Sequence, residues 1–132
     1  MIKIFSITSR VYYQDTDAGG VIYHSKYLDF CERARTEFLR DRNVNQVTLM
    51  KQGVLFVVRN LNIDYIYSGK LDDLIDITVK IKELGGVRIK MEQTILRNND
   101  RVLLVKMNLE LVCINKEFKP IRLPKDLVEK LR

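Results

Sequence analysis

The stretch "KYLDFCERARTEFLRDR", residues 26–42, carries the strongest helical pattern in this 132-residue chain. Its apolar residues recur every three or four positions, which places them on one face of an α-helix. The pattern predicts a helix roughly 25 Å long, with Ser25 before it as a candidate N-cap. The predicted buried face consists of Tyr27, Cys31, Ala34 and Phe38, with Leu28 and Leu39 flanking it.

Beyond this helix, the apolar pattern changes to a period of two. A short helix is predicted over residues 44–52, with Gly53 ending it, and four alternating segments follow at 61–67, 74–82, 87–95 and 102–114. Turn-forming residues separate these segments, which is typical of antiparallel strands with one buried face. In the first of them, Leu61, Ile63, Tyr65 and Tyr67 are expected to share a face.

The two ends of the chain complete the predicted fold. A further strand is expected from about Ile4 to Gln14, and a short helix near 125–131 after Pro124. One long helix and a five-stranded antiparallel sheet must bury each other's apolar faces, and the simplest packing curls the sheet around the helix. The sequence therefore predicts a single α+β domain over residues 1–132, without linkers or repeats.

The composition limits the classes of function. The chain is 46% hydrophobic and 30% charged, which indicates a folded protein, and its net charge of +6 favours an anionic partner. The basic residues are scattered and tryptophan is absent, so a nucleic-acid binder is the least favoured class. Two distant cysteines without metal-ligand spacing predict buried free thiols, a reducing compartment and no metal site.

The same composition bears on location. No secretory signal is evident at the N-terminus, and the longest apolar run, "VLFVV" at 54–58, is too short to cross a bilayer. We expect a cytoplasmic protein without a transmembrane segment. Peripheral contact with a membrane stays open.

The segment "DTDAGG", residues 15–20, lies between the first predicted strand and the long helix. Asp17 is followed by a Gly-Gly pair, by His24 and then by a helix start, whose first N–H groups lack internal partners. Such N–H groups can hold a carbonyl oxygen while a carboxylate attacks the carbon or activates water. A purely structural turn is the alternative for Asp17 and the preferred interpretation for Asp15. His24 could also be structural, and a metal-binding "DTD" lacks the further ligands it would need.

The run "RVYYQDTDAGGVIYHSKYLDFCERARTEFLR", residues 10–40, resembles the acyl-CoA thioesterases of the hotdog-fold 4-hydroxybenzoyl-CoA thioesterase family. The likeness is greatest to the YbgC-type branch associated with the bacterial Tol-Pal system, and it continues through "FVVRNLNIDYIYSGKLDDLIDITVKIKELGG" and "PIRLPKDLVEKL". It implies a hotdog fold, an acyl-CoA substrate, no cofactor, and a homodimer that joins two sheets edge to edge or assembles further into a homotetramer. Active sites would then lie at the subunit interface.

The resemblance also implies roles for individual residues. Asp17 matches the family's nucleophile or general base, and Tyr13 and His24 match positions associated with catalysis. A backbone N–H near His24 would form the oxyanion hole, with the imidazole orienting the thioester or protonating the leaving thiolate. The phosphates of coenzyme A would meet basic side chains flanking the Gly85-Gly86 turn, namely Lys82, Arg88 and Lys90, although ordinary outward charges on a strand pair are nearly as good an interpretation.

Two other functions compete with thioester hydrolysis. A hotdog hydratase or dehydratase would share the fold, but the "PG" loop typical of carrier-protein dehydratases is absent, since the chain has only Pro120 and Pro124. A non-catalytic module could bind an acyl carrier protein or an envelope complex, and the basic surface would suit an acidic carrier. Acyl-chain length, the direct or water-mediated role of Asp17, and the choice between dimer and tetramer stay open.

Overall fold

The computed structural model describes residues 4–132 and has the predicted α+β architecture. Its five strands form one antiparallel sheet in the order β1-β3-β4-β5-β2, so β1 and β2 are the two edges. The elements are β1 (Phe5–Arg10), a 3₁₀ turn (Tyr13–Asp15), α1 (Lys26–Asp41), α2 (Gln46–Lys51), β2 (Leu55–Tyr65), β3 (Leu74–Gly85), β4 (Arg88–Arg97), β5 (Leu103–Ile114) and α3 (Lys125–Leu131).

The core lies between α1 and the face of the sheet that curls around it. The predicted stripe of α1 is buried together with the flanking Leu39, and Phe30 widens it, whereas Leu28 is exposed. Fully burying one such side chain contributes about 1.5–3 kcal/mol. The sheet contributes its inward residues, among them Ile77, Ile89, Met91, Ile95 and Met107.

The backbone conformation determines where α1 begins and where α2 ends. Ser25 does not cap α1 with its side chain, because its own backbone is already helical (φ −73°, ψ −20°) and the N–H of Lys26 bonds the carbonyl of Tyr23. Ser25 therefore occupies the N-cap position as predicted, but its side chain makes no capping hydrogen bond. Gly53 ends the short helix as predicted, with a φ of +79° that suits glycine.

The first strand is shorter than predicted. It ends at Arg10, because the N–H of Val11 bonds the carbonyl of Asp73 and the chain then enters the 3₁₀ turn. Tyr12 and Tyr13 consequently do not alternate between core and solvent, and both are exposed. The predicted extension of this strand to Gln14 is wrong.

Strand β2 is longer than predicted and forms an unpaired edge of the described sheet. It starts at Leu55, and the pairing register shifts between Val58 and Asn60. Leu61 and Ile63 pack against the core as expected, and the ring of Tyr65, predicted to share their face, packs against buried Tyr27 while remaining about half exposed. Tyr67, predicted on that face too, lies beyond the strand and is exposed.

The two cysteines are buried free thiols, as predicted. Burial raises the pKa of the Cys31 thiol to about 12, and it also raises the pKa of Cys113. Both groups therefore stay protonated near neutral pH. Within residues 4–132, no helix is long and apolar enough to cross a membrane.

Candidate active site

A tight loop over residues 16–22 carries the acid-glycine motif. Its ends are joined by a bridge between Thr16 and Ile22, and the N–H of Gly20 bonds the carbonyl of Asp17 at 3.1 Å. Gly20 has a φ of +78°, a conformation that a side chain would strain. The loop is fastened to the segment before β3, since the N–H of Ile22 bonds the carbonyl of Gly69 at 2.9 Å.

The carboxylate of Asp17 is held by one hydrogen bond. Its Oδ1 accepts the N–H of Gly19 at 2.8 Å, which is an Asx turn. Among residues 4–132, its second oxygen accepts no hydrogen bond, and the side chain is exposed. The structural turn therefore uses one carboxylate oxygen of Asp17, and the other oxygen is available to a ligand.

Asp15 has a different surrounding. It is buried, and its Oδ2 accepts the N–H of Tyr12 at 2.9 Å. The predicted structural role agrees with this contact, although the donor precedes the acid by three residues and does not follow it as in an Asx turn. Asp15 therefore holds the 3₁₀ turn.

His24 lies at the start of α1 among aromatic rings. Its imidazole packs against Tyr23 with ring centroids 4.5 Å apart, and its carbonyl accepts the hydroxyl of Tyr65 at 3.2 Å. In the described part of the chain, the backbone N–H groups of His24 and Ser25 donate no hydrogen bond. Free N–H groups at the positive end of a helix are suitable donors to an oxyanion.

An open depression of about 380 Å³ surrounds His24. Tyr27 forms part of its wall, and its hydroxyl accepts the N–H of Gly69 at 3.0 Å, while burial raises its pKa. Asp17 and Tyr13 do not line this depression, and Tyr13 is 82% exposed on its 3₁₀ turn. The three candidate residues therefore lie within one segment, residues 13–24, but only His24 lines this depression. The lining residues are Ile22, His24, Tyr27, Tyr65, Ile66, Tyr67 and Ser68.

The three basic residues predicted to bind the phosphates of coenzyme A do not all line the same groove. Lys82 and Lys90 line an open groove of about 490 Å³ over the sheet, together with Arg59, whereas Arg88 does not line it. Each of the three predicted residues lies within 4 Å of a carboxylate. The pairs are Lys82–Glu92 at 3.8 Å, Lys90–Glu83 at 3.4 Å and Arg88–Glu110 at 3.5 Å.

A polar pair between α1 and β4 was not anticipated. The fully buried amide of Gln93 accepts a hydrogen bond from Arg35 Nη1 at 2.9 Å and donates to the carbonyl of Cys31 at 3.0 Å. Burial lowers the pKa of Arg35, whose side chain lines a groove of about 200 Å³. Two signals could have found the pair: a glutamine at an inward position of β4, and an arginine four residues after Cys31 on the helix.

An antiparallel sheet curled around one long helix is the hotdog fold, and in this chain an acid-glycine turn leads into that helix. Residues 19–104 match the family described as the thioesterase superfamily, and the chain belongs to this family. It is a thioester hydrolase.

Two named relatives and one solved structure show which members of the family this chain is similar to. The chain is 46% identical over 125 residues to "Acyl-CoA thioesterase YbgC" of Haemophilus influenzae, covering 93% of this chain and 90% of that protein. It is 40% identical over 130 residues to "Acyl-CoA thioester hydrolase YbgC" of Escherichia coli, covering 98% and 96%. A probable thioesterase from Bartonella henselae has a solved structure with a TM-score of 0.85 at 42% identity, covering 92% of this chain and all of that one.

Proposed function

We propose that this chain hydrolyses acyl-CoA thioesters to a free acid and coenzyme A, with Asp17 as the nucleophile or general base. The observation that carries the proposal is the Asp17 carboxylate, fixed through one oxygen and free at the other, on the loop that leads into the uncapped start of α1. The likeness to relatives named as acyl-CoA thioesterases supports the choice of substrate.

In the proposed reaction, the free oxygen of Asp17 attacks the thioester carbon directly or takes a proton from a water that does so. The carbonyl oxygen becomes an oxyanion that accepts the backbone N–H of His24, and the C–S bond then breaks to release the coenzyme A thiolate. In the direct route, water then hydrolyses the anhydride between Asp17 and the acyl group, which releases the free acid. In the water route, the free acid forms in the first step and the proton on Asp17 passes to the thiolate. One oxyanion donor contributes roughly 3 kcal/mol. The imidazole of His24 orients the thioester, and the exposed hydroxyl of Tyr13 is available to the same substrate.

The site is proposed to be completed by a second copy of the chain. β2 offers an unpaired edge of 11 residues with Val57 and Val58 exposed, and such an edge favours pairing. If two copies pair antiparallel through β2, the Tyr65 end of one strand, which lies beside His24, faces the Leu55 end of the other. A homodimer, alone or within a homotetramer, would thereby enclose a site that one chain leaves open.

For the coenzyme A phosphates, the proposed contacts are Lys82, Lys90 and Arg88. Lys82 and Lys90 share one groove, so a phosphate there would compete with their carboxylate partners. The net charge of +6 would equally suit an acidic acyl carrier protein as thioester donor. Buried free thiols fit a reducing cytoplasm.

The test is thiol release from a panel of acyl-CoAs of short to long chain, including an aromatic one. The wild type is compared with Asp17→Asn and with Asp126→Asn, a control acid exposed on α3. We expect turnover that Asp17→Asn lowers at least about 100-fold and Asp126→Asn leaves unchanged. Absence of hydrolysis on every acyl-CoA would refute the substrate class, and full activity of Asp17→Asn would refute the mechanism.

A further inference from the structure

The turn after β5, residues 115–119, holds one aromatic ring out in solvent. Phe118 is 76% exposed and has a φ of +61°, a conformation that bulky residues rarely adopt. Asn115 Oδ1 accepts the N–H groups of Glu117 at 2.9 Å and Lys119 at 3.1 Å, and the N–H of Phe118 bonds the carbonyl of Asn115 at 3.0 Å. The turn is therefore organised before any partner arrives, with its ring facing outward.

The short helix α2 adds apolar surface at the same end of the molecule. The start of β2 pairs with the end of β5, and a Cβ on Gly53 would lie 3.7 Å from Cε of Lys116. The α2–β2 connection and the 115–119 turn are therefore neighbours. On α2, Val47 is 61% exposed and Met50 is 55% exposed.

Three lysines accompany these apolar side chains. Lys51, Lys116 and Lys119 are exposed, and within residues 4–132 none of them lies within 4 Å of a carboxylate. Glu117 is the one acid of the turn. Their ammonium groups differ in this respect from those of Lys82 and Lys90, each of which has an acidic neighbour.

We infer that this end of the molecule docks on an anionic lipid surface. Apolar side chains can enter the boundary between headgroups and acyl chains, and lysines beside them are attracted to anionic headgroups. A nucleotide could stack on Phe118 and pair with the lysines, but it would not account for the exposed apolar residues of α2. We call this surface the basic-apolar tip; it consists of Val47, Met50, Lys51, Lys116, Phe118 and Lys119.

The first test is co-sedimentation of the purified chain with phosphatidylcholine vesicles that contain or lack phosphatidylglycerol. We expect binding to the anionic vesicles that weakens at least about tenfold in Phe118→Gly. Glycine suits the positive φ, so this variant keeps the turn. The matched control is Asn43→Gly, another exposed residue with a φ of 60°, which should bind like the wild type.

A charge series separates the tip from the rest of the basic surface. Lys116→Glu with Lys119→Glu should weaken binding by more than about fivefold for each lysine, since the charge is reversed. Lys80→Glu with Lys106→Glu makes the same change in net charge on exposed strand positions and should weaken binding less. Equal losses in the two pairs would overturn the assignment to the tip.

A spectroscopic test identifies the ligand. The chain has no tryptophan, so Phe118→Trp supplies the sole indole, whose emission should shift to the blue on anionic vesicles and not with coenzyme A alone. A shift with coenzyme A and none with vesicles would overturn the proposal in favour of a nucleotide contact. Failure of the wild type to bind anionic vesicles would also overturn it, whatever the outcome of the hydrolysis assay.

Discussion

Asp17 in the 16–22 loop and Asp76 on β3 are both carboxylates, but their surroundings differ. Asp76 is buried on β3 and accepts hydrogen bonds from Thr8 at 2.6 Å, from Asn98 at 3.0 Å and from Arg101. Asp17 is exposed and accepts one N–H. A carboxylate with every oxygen occupied joins strands, whereas one with a spare oxygen on an anchored loop is available for chemistry.

The largest expected effect separates the two acids. Asp17→Asn should lower kcat at least about 100-fold, while its free energy of unfolding changes by less than about 0.5 kcal/mol. Asp76→Asn should leave kcat nearly unchanged but lower the free energy of unfolding by about 1–3 kcal/mol, because its donors lose a charged acceptor. Acyl-CoA kinetics and urea denaturation of both variants measure kcat and the free energy of unfolding. If both variants lost kcat and stability to the same extent, the contrast between the two acids would be contradicted.

A smaller effect is expected from the residue that holds Asp17. In Gly19→Ala, the added Cβ would lie 3.3 Å from Asp17 Oδ1, so the carboxylate must shift. We expect kcat to fall by about tenfold, because small displacements of a reacting group are costly. Gly85→Ala is the matched control, since its Cβ would meet no atom within 4 Å. Equal kcat in the two variants would mean that Gly19 does not position the acid.

The pH dependence of stability should report on Asp76. Burial alone would raise its pKa, but the hydrogen bonds from Thr8, Asn98 and Arg101 outweigh burial and lower the pKa below its usual value of 3.8. The stabilisation is therefore present above pH 3.8 and is lost as the pH falls through the lowered pKa of the folded state. Urea midpoints from pH 6 to pH 2.5 should decline more steeply in the wild type than in Asp76→Asn; parallel curves would contradict this.

The smallest expected effect is the colour that the protein's own thiols contribute to the activity assay. Since the pKa of Cys31 is raised to about 12 and Cys113 is also buried, neither thiol should react with a chromogenic disulfide during the assay. We expect negligible colour from the folded chain, and in denaturant a signal equal to its two cysteines. Rapid reaction of the folded protein would show that the thiols are accessible.

Much of the fold could be predicted because its signals are local. The stripe of α1 and the alternation of β3 to β5 depend on residues a few positions apart, and they identified the buried faces. The end of β1 could not be predicted, since it depends on a bond between Val11 and Asp73, which are far apart in sequence. Ser25 lies at the predicted N-cap position, but its side chain does not cap the helix, because its own backbone is already helical.

The sequence indicated which residues form the candidate site, but it did not predict how they are arranged. The motif directed attention to Asp17 and His24, but the sequence favoured Asp15 for the Asx turn, and the structure forms that turn at Asp17. Their roles in catalysis remain predictions. Phe118 carries no periodic signal, because its exposure depends on a positive φ supported by the side chain of Asn115.

The attachment of the 16–22 loop to the segment before β3 has a consequence for heat inactivation. Ile22 bonds Gly69, and a Cβ on Gly69 would lie 2.5 Å from Ile22 Cδ1, so the two segments are in close contact. The loop cannot fray independently without breaking contacts that belong to the core. Catalytic activity should accordingly vanish at the melting temperature of the sheet, and a residual-activity curve would trace global unfolding of the chain.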